Sequence, residues 1–235
     1  MLRKLFFVSA ILSAVSVHAQ TATLTVTGTL AVPVCTFTLG SGGIANFGSL
    51  SAAVVQSWQV APSPSRYVSA VAVAKTVTLA VDCPTPAKFA ISFIDNKAST
   101  ASPPASFSIV RFGLGMYTPV SRAATNIGSY YLAYSNLTVK ATPADTAAAP
   151  AVKLLTTGVA TASSTWHKAV GEEGIYVIPG RPVGFGVAAT ALTPDSLSNI
   201  NADLVVYFEP LTEVVNSATT VINLDGSATA TLAFL

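Results

Sequence analysis

The segment that decides the fold is Lys75-Thr-Val-Thr-Leu-Ala-Val-Asp-Cys83, in which apolar side chains alternate with polar or small ones. Successive side chains of a β-strand point to opposite faces of the sheet. The residues that a strand here would place on one face are Val77, Leu79, Val81 and Cys83. The pattern therefore predicts a strand with one face in a hydrophobic core, and it directs Asp82 towards solvent.

Similar short segments recur along the chain between Gly, Pro, Ser or Asn residues, which are typical of turns. No long segment has an apolar period of about 3.6 residues, so we expect little helix. Residues 51–60 form either a short helical turn or an irregular crossover, and 97–105 and 141–150 are predicted loops. Strands at this spacing indicate an all-β sandwich. The further predicted strands are 89–93, 107–111, 130–134 with a continuation to 139, 175–178, 183–187, 203–208 and 229–235.

Residues 1–19 have the features of a secretory signal peptide. A charged start with Arg3 and Lys4 is followed by an apolar run and by Val17-His18-Ala19, which has small residues at the two recognition positions. The apolar run is too short for a transmembrane helix. We therefore expect export and cleavage after residue 19, with one folded domain over 20–235.

Cys35 and Cys83 are the only two cysteines in the sequence. An even number of cysteines in an exported chain indicates a disulfide. Two cysteines this far apart do not form a redox Cys-x-x-Cys pair, and one histidine outside the signal is too few for a zinc site. We predict a structural disulfide, whose loop of about 48 residues corresponds to about 4 kcal/mol of stabilisation in the chain-entropy model.

The start of the expected mature chain is a second alternating segment. Between residues 21 and 30 threonines alternate with apolar residues, and only Gly28 interrupts the apolar series. The residues that a strand would place on its apolar face are Leu24, Val26, Leu30 and Val32. Such a strand must join a sheet, and the pattern leaves open whether it is an edge of its own sheet or a donor to a neighbouring molecule.

The composition disfavours some classes of function. Hydrophobic residues make up 51% of the chain and charged residues only 9%. The full sequence has 12 basic and 10 acidic residues. If Arg3 and Lys4 are removed with the signal, the basic and acidic residues of the mature chain are equal in number. A neutral chain without a basic patch is not suited to nucleic acid or to an anionic membrane. Its charge-poor surface favours packing against partner proteins.

The sequence carries no catalytic or metal-binding motif. Nucleophile elbows, His-x-x-x-His pairs and phosphate-binding glycine loops are absent. His167 is the only histidine outside the signal. Glu172 and Glu173 are adjacent, so they would point to opposite faces of an extended chain and would not act as an acid–base pair. We therefore expect a protein that is not an enzyme and that uses no catalytic residue, cofactor or metal.

Several features together resemble the pilin subunits of bacterial chaperone–usher fimbriae. They are a signal followed by a Thr-rich strand ending at Cys35, the segment Ile44-Ala-Asn-Phe-Gly48, the second cysteine at the end of 77–83, and a last strand with Phe234 at the penultimate position. Three further segments resemble more closely a fimbria-associated family of unassigned function, of the domain of unknown function 1120 type. These segments are Phe112-Gly-Leu-Gly115, Ile127-Gly-Ser-Tyr-Tyr131 and 222–235.

The pilin resemblance implies an immunoglobulin-like sandwich that lacks its last strand, so that the strand 228–235 borders an open groove. It implies that a periplasmic chaperone pairs with this strand and contacts its residues Leu232, Phe234 and Leu235. An outer-membrane usher would then assemble the subunits. The N-terminal segment of a neighbouring subunit would then replace the chaperone strand, which is β-strand addition.

Two features differ from the pilin pattern. Classical pilins tend to carry a glycine at the position of Ile222, and the nearest glycine here is Gly226. If 28–35 is the chain's own first strand, little more than 20–26 remains to be donated. Three interpretations follow: a tip or terminal subunit, a subunit that donates its Thr-rich strand, and a self-completed relative that does not polymerise.

The expected function is a structural subunit of a cell-surface fimbrium that contributes to cell adhesion, with other pilin subunits or copies of itself as partners. An alternative is a non-polymerising secreted or tip adhesin that binds a host receptor or glycan. Exposed Trp166, Tyr130 and Tyr131 would then form a carbohydrate platform, although their simpler interpretation is that of core residues. A secreted hydrolase that uses scattered carboxylates is a third alternative.

Overall fold

The computed structural model describes residues 34–48, 51, 55, 74–102, 111–118, 123–155, 160–161, 163–170, 176–187, 190–217 and 221–235. Several predictions lie outside these residues. They concern the signal at 1–19, the donor or edge residues Leu24, Val26, Leu30 and Val32, most of the predicted strand 107–111, and the pair Glu172 and Glu173. The described residues all belong to one compact unit, 33–235.

Almost all of the regular secondary structure in the described chain is β-strand. In chain order these are β1 (Thr36–Leu39), β2 (Lys75–Ala87), β3 (Phe89–Asp95), β4 (Phe112–Gly113), β5 (Met116–Tyr117), β6 (Thr125–Asn126), β7 (Gly128–Lys140), β8 (Ala149–Pro150), β9 (Val152–Leu155), β10 (His167–Lys168), β11 (Val183–Gly186), β12 (Leu197–Pro210) and β13 (Ala228–Phe234). A short helix, α1 (Thr212–Ser217), lies between β12 and β13. No helix in the described ranges is long and apolar enough to cross a membrane.

The strands form two antiparallel sheets that share one core. The first sheet has the order β1-β2-β12-β7-β4, and β8 also pairs with β7. The second has the order β10-β9-β11-β3-β13, and β5 pairs with β6 in a separate small ribbon. The prediction of an all-β sandwich is confirmed.

The core forms because alternating residues of both sheets point inwards. In β2, Val77, Leu79 and Val81 are at most 5% exposed, whereas Asp82 points outwards as the sequence predicts. The central strand β12 repeats the pattern, and Ile200 and Phe208 are at most 1% exposed. Burial of such side chains stabilises the fold by roughly 1.5–3 kcal/mol each.

The strand order is that of an immunoglobulin-type sandwich with one position unfilled. Such a sandwich has the order A-B-E-D in one sheet and C-F-G in the other. Here β1-β2-β12-β7 follow A-B-E-D, and β3 and β13 occupy the C and F positions. Within the described residues no strand lies beyond β13, where strand G would be.

The disulfide between Cys35 and Cys83 is present, with an S–S distance of 2.01 Å and a Cα–Cα distance of 4.2 Å. It joins the residue before β1 to the middle of β2, beside the ladder that pairs Thr36 with Asp82. This prediction is confirmed.

One local prediction is wrong, and one short helix was not predicted. Residues 175–178 do not form a strand where they are described: Tyr176 makes only an isolated bridge to Ala133, since β4 and β8 pair with other parts of the same edge of β7. Helix α1 was not predicted, because its apolar stripe consists of little more than Val214 and Val215, which are 0% and 3% exposed. Two apolar residues are too few to define a helical period.

Candidate functional site

In the part of the chain that the structure describes, no strand closes the side of the sandwich between the edge strands β1 and β13. The inward-facing residues of these edges are partly buried, or exposed in the case of Phe234; they are Cys35, Phe37 and Leu39 on one side and Ala228, Ala230, Leu232 and Phe234 on the other. The next strands in each sheet are fully covered, since Leu79 is 1% exposed and Ile91 0%. Inward-facing apolar side chains, which are buried in the inner strands, are therefore accessible to solvent along this side.

An apolar cavity of about 380 Å³ opens between the two sheets on this side. Its walls come from both sheets and include Leu39, Val77, Leu204, Phe93, Ala228 and Ala230. The residues that β13 contributes are alanines, whose small side chains leave the space between the sheets unfilled. The cavity is thus suited to receive larger apolar side chains from outside.

The segment that follows β1 covers only one end of the opening. Phe47 packs edge-on against Phe208, with 4.8 Å between the ring centroids, and Ala45 also contacts the core. Ile44, in contrast, is 67% exposed although it lines the cavity. The opening therefore has a partial cover at this end.

β13 offers an edge that can accept another strand. It is seven residues long and contains neither a charged residue nor a proline. The opposite edge of the same sheet is β10, which has only two residues, His167 and Lys168. Short edges and lysine are usual protections against strand pairing, and β13 has neither.

The three residues predicted to face the chaperone, Leu232, Phe234 and Leu235, have different surroundings in the structure. Leu232 packs against the main core, and Phe234, on the same face, is 40% exposed at the edge. The side chain of Leu235 instead packs with Ala90, Leu154 and Trp166, in a small cluster on the other face of the second sheet. The Leu235 N–H donates to the Lys88 carbonyl at 3.0 Å, so its backbone extends the β3 pairing.

The three aromatic residues considered as a carbohydrate platform are buried. Trp166 and Tyr130 are 7% exposed and Tyr131 is 8% exposed. Tyr130 stacks on Phe112, with 5.1 Å between the centroids, and burial raises the pKa of its hydroxyl. These residues are part of the packing, as their simpler interpretation predicts.

Tyr131 belongs to an aromatic cluster that sequence reasoning missed. Its ring stacks on Tyr207 and meets Tyr176 edge-on, with centroids 5.0 and 5.2 Å apart. A nearly buried ion pair between Arg111 and Glu209 lies at the same end of the first sheet. Burial raises the pKa of Tyr131, and the negative charge of Glu209 adds to this effect. No sequence motif marks these contacts, because they join distant parts of the chain.

Lys153 was also missed, and its ammonium group lies inside the sandwich. Its Nζ lies 5.1 Å from the centre of the Tyr134 ring, and neither this nitrogen nor the Tyr134 hydroxyl has a hydrogen-bond partner. Burial lowers the pKa of Lys153 to about 8 and raises that of Tyr134. Val152-Lys-Leu-Leu155 is too short to show by alternation that the lysine points inwards.

The described residues contain no group of three or more His, Cys, Asp or Glu side chains placed to hold a metal ion. His167 is exposed on the edge strand β10. What the open side presents is apolar surface together with an edge of β13 with which no described strand pairs. Chemically, this arrangement suits the binding of an extended peptide segment.

Comparison with known proteins gives one partial match. Residues 24–129 match the family model described as "Protein of unknown function (DUF1120)". No curated protein matches the chain. No solved structure matches it either. Over residues 24–129 the chain is therefore similar to a family to which no function has been assigned.

Proposed function

We propose that this protein is a structural subunit of a bacterial cell-surface fimbrium, and that a β-strand from another subunit completes its sandwich. The observation that supports the proposal is that no described strand lies beside β13, where an immunoglobulin-type sandwich has strand G. An exposed sheet edge next to uncovered core surface is a strong template for association.

The cavity and the N-terminal segment match in chemistry. In strand addition, backbone hydrogen bonds to the edge provide affinity, and pockets for alternate side chains provide specificity. The segment 21–33 supplies alternate apolar side chains, and β13 presents alanines at its cavity-facing positions 228 and 230. Large side chains on the incoming strand would face small ones on β13. We therefore assign Leu24, Val26, Leu30 and Val32 to the donated strand.

The position of β1 favours donation to a different molecule. Along β1, Thr36 pairs with Asp82 beside the disulfide, whereas Leu39 lies at the other end and lines the cavity. A segment that precedes Cys35 would have to reverse direction to run back along the same opening. The corresponding segment of a second subunit has no such constraint.

The proposal includes the partners that such assembly needs. A periplasmic chaperone would hold β13 until exchange, with Leu232 and Phe234 at the contact, and an outer-membrane usher would order the subunits. Export by the segment 1–19 would deliver the chain to the periplasm and then to the surface. The protein would act in adhesion as part of the fibre, without enzymatic activity or cofactor.

The test is an unheated detergent gel of the sheared surface fraction, compared with a boiled sample and blotted for this protein. A strand-exchanged polymer buries a whole donor strand, so it should give a ladder that collapses to monomer on boiling. The variant without residues 20–27, and the double variant Leu24→Asp/Val26→Asp, should accumulate as chaperone-bound subunits and give no ladder.

A matched control changes the other face of the same segment. Thr23→Ser/Thr25→Ser keeps the alternation and the hydroxyl groups, so its ladder should equal that of the wild type. Unchanged assembly of the Asp variant would overturn the donor role. A single monomer band from the wild type would instead favour the non-polymerising adhesin on the same scaffold.

A further inference from the structure

A second cavity, of about 490 Å³, lies on the outer face of the first sheet at its disulfide end. It shares no lining residue with the cavity of the open side, and most of its polar side chains lie on the face of the sheet opposite the core. Its floor is polar and its walls include two prolines. The lining residues that matter are Asp82, Asn199, Asn201, Lys140, Pro84 and Pro143.

The register of the sheet brings these polar side chains side by side. Asn199 of β12 lies opposite Asp82 of β2 and opposite Lys140 of β7. Thr36 of β1 extends the same row, since it lies opposite Asp82. In the next row Asn201 lies opposite Ala80. A grid of amide, carboxylate, hydroxyl and ammonium groups therefore spans four strands.

The floor of this cavity is held in place by its own hydrogen bonds. The Asn199 amide donates to the Asp82 carboxylate at 2.6 Å, and the Asn201 amide donates to the Asn199 carbonyl oxygen at 2.5 Å. Each of these contacts uses only part of the capacity of its group, since an amide has two N–H donors and a carboxylate two acceptor oxygens. Ordered side chains of this kind bind a ligand at a lower entropic cost.

We propose that this cavity binds the neutral hexopyranose end of a glycan. A sugar carries a dense set of hydroxyl groups that both donate and accept, and the Asp82 carboxylate and the Asn201 amide offer the complementary acceptors and donors. The ring of a hexopyranose also has an apolar face, which the rings of Pro84 and Pro143 can cover. The charges of Asp82 and Lys140 offset one another, so the cavity does not select for an anionic ligand.

This proposal goes beyond the assembly proposal and does not depend on it. The experiment uses the full exported chain, in whatever assembly state it is secreted, on an array of neutral and acidic oligosaccharides. The affinity for a hit is then measured in solution. Binding to a neutral glycan is expected, and Asn201→Ala and Asp82→Ala should each weaken it at least about tenfold, the effect of losing one ligand hydrogen bond.

Thr76→Ala is the matched control, because Thr76 is exposed on the outward face of β2 but does not line the cavity. It should leave the affinity unchanged, and thermal unfolding of all variants checks that they fold. The proposal is overturned by an array without neutral hits, by hits that are exclusively acidic, or by equal losses of affinity in Thr76→Ala and Asn201→Ala.

Discussion

Phe234 lies directly opposite Phe89 in the β13–β3 ladder, yet Phe234 is 40% exposed and Phe89 only 2%. Directly paired residues of antiparallel strands share one face of the sheet, so both rings face the interior side. What differs is their position in the sheet, because β3 has a neighbouring strand on each side and β13 has only one among the described strands. The exposure of Phe234 is therefore a local measure of the unfilled position beside β13.

Phe234→Ala should lower the periplasmic yield several-fold while lowering the thermal stability of the folded protein less than loss of a core ring would. The ring is 40% exposed at the sheet edge, so its loss removes less buried area than loss of a fully buried ring such as that of Phe89. A chaperone strand on β13, in contrast, would cover it. Co-purification with the chaperone and the yield of soluble protein measure the effect. Thr231→Ala, on the exposed face of β13, is the control, and a normal yield of Phe234→Ala would count against the groove.

Removing the disulfide by Cys35→Ser/Cys83→Ser should lower the free energy of unfolding by about 4 kcal/mol. The bridge closes a loop with a sequence separation of 48, which restricts the unfolded chain. Denaturant titrations of the oxidised wild type, the reduced wild type and the variant measure it. The unfolding transition of the variant should coincide with that of the reduced wild type, and it should not change when reductant is added. Three coinciding titrations would show that the bridge contributes nothing to stability.

Lys153→Met should stabilise the protein by about 1–2 kcal/mol near neutral pH, because it removes a buried ammonium group that has no hydrogen-bond partner. Chemical unfolding at pH 7 measures the gain. Lys168→Met is the control, since Lys168 is exposed on β10, and it should change stability little. A Lys153→Met protein less stable than the wild type would show that the contact of the ammonium group with the Tyr134 ring outweighs the cost of burial.

The stability of the wild type should also rise with pH from about 8 towards 10, and this rise should be absent in Lys153→Met. The folded protein lowers the pKa of Lys153 to about 8 from its ordinary 10.5, so between these values the unfolded chain binds more protons. The destabilisation is complete below pH 8 and disappears as the pH rises. The rise in stability should end near pH 10. Above this pH the unfolded chain loses the hydroxyl protons of Tyr130, Tyr131 and Tyr134, whose pKa values are raised in the folded protein, so stability should fall. A flat wild-type profile contradicts this prediction.

Gly128→Ala should destabilise the protein by more than about 2 kcal/mol. Gly128 begins β7 with φ of +148°, and an added Cβ would lie 2.2 Å from the Glu209 carbonyl oxygen. Neither that backbone nor Pro210 beside it can move away without breaking the pairing with β12. Gly42→Ala is the control, because its φ is also positive but nothing lies within 4 Å of the added Cβ. It should cost about 1 kcal/mol, and equal losses in thermal unfolding would contradict the steric argument.

The features of the fold that could be predicted from the sequence are those that follow from the alternation of apolar residues and from the number of cysteines. The alternation of 75–83 places Val77 and Asp82 on the faces where the structure has them, and the pair Cys35 and Cys83 forms the predicted bridge. These features are local or follow from simple counting. They are enough for the class of fold, an all-β sandwich with one disulfide.

Contacts between distant segments could not be predicted in this way. Alternation gives the outward direction of Tyr131, but its burial depends on Tyr207 and Tyr176, which come from other parts of the chain. Alternation within β13 likewise says nothing about whether another strand pairs with its outer edge. In the structure none of the described strands does. The cavity beside the disulfide depends on the register of four strands, and no single segment contains that information.

The pairing of β13 with β3 also sets the order in which the chain can fold. The Asn96 amide donates to the Ser227 hydroxyl at 3.0 Å across a sequence separation of 131 residues. During synthesis β3 therefore emerges long before the strand that will cover its edge, and contacts over such separations form slowly. In that interval the Phe89–Asp95 segment is an aggregation hazard. A cell that makes this protein gains from keeping the nascent chain extended until β13 has been translated.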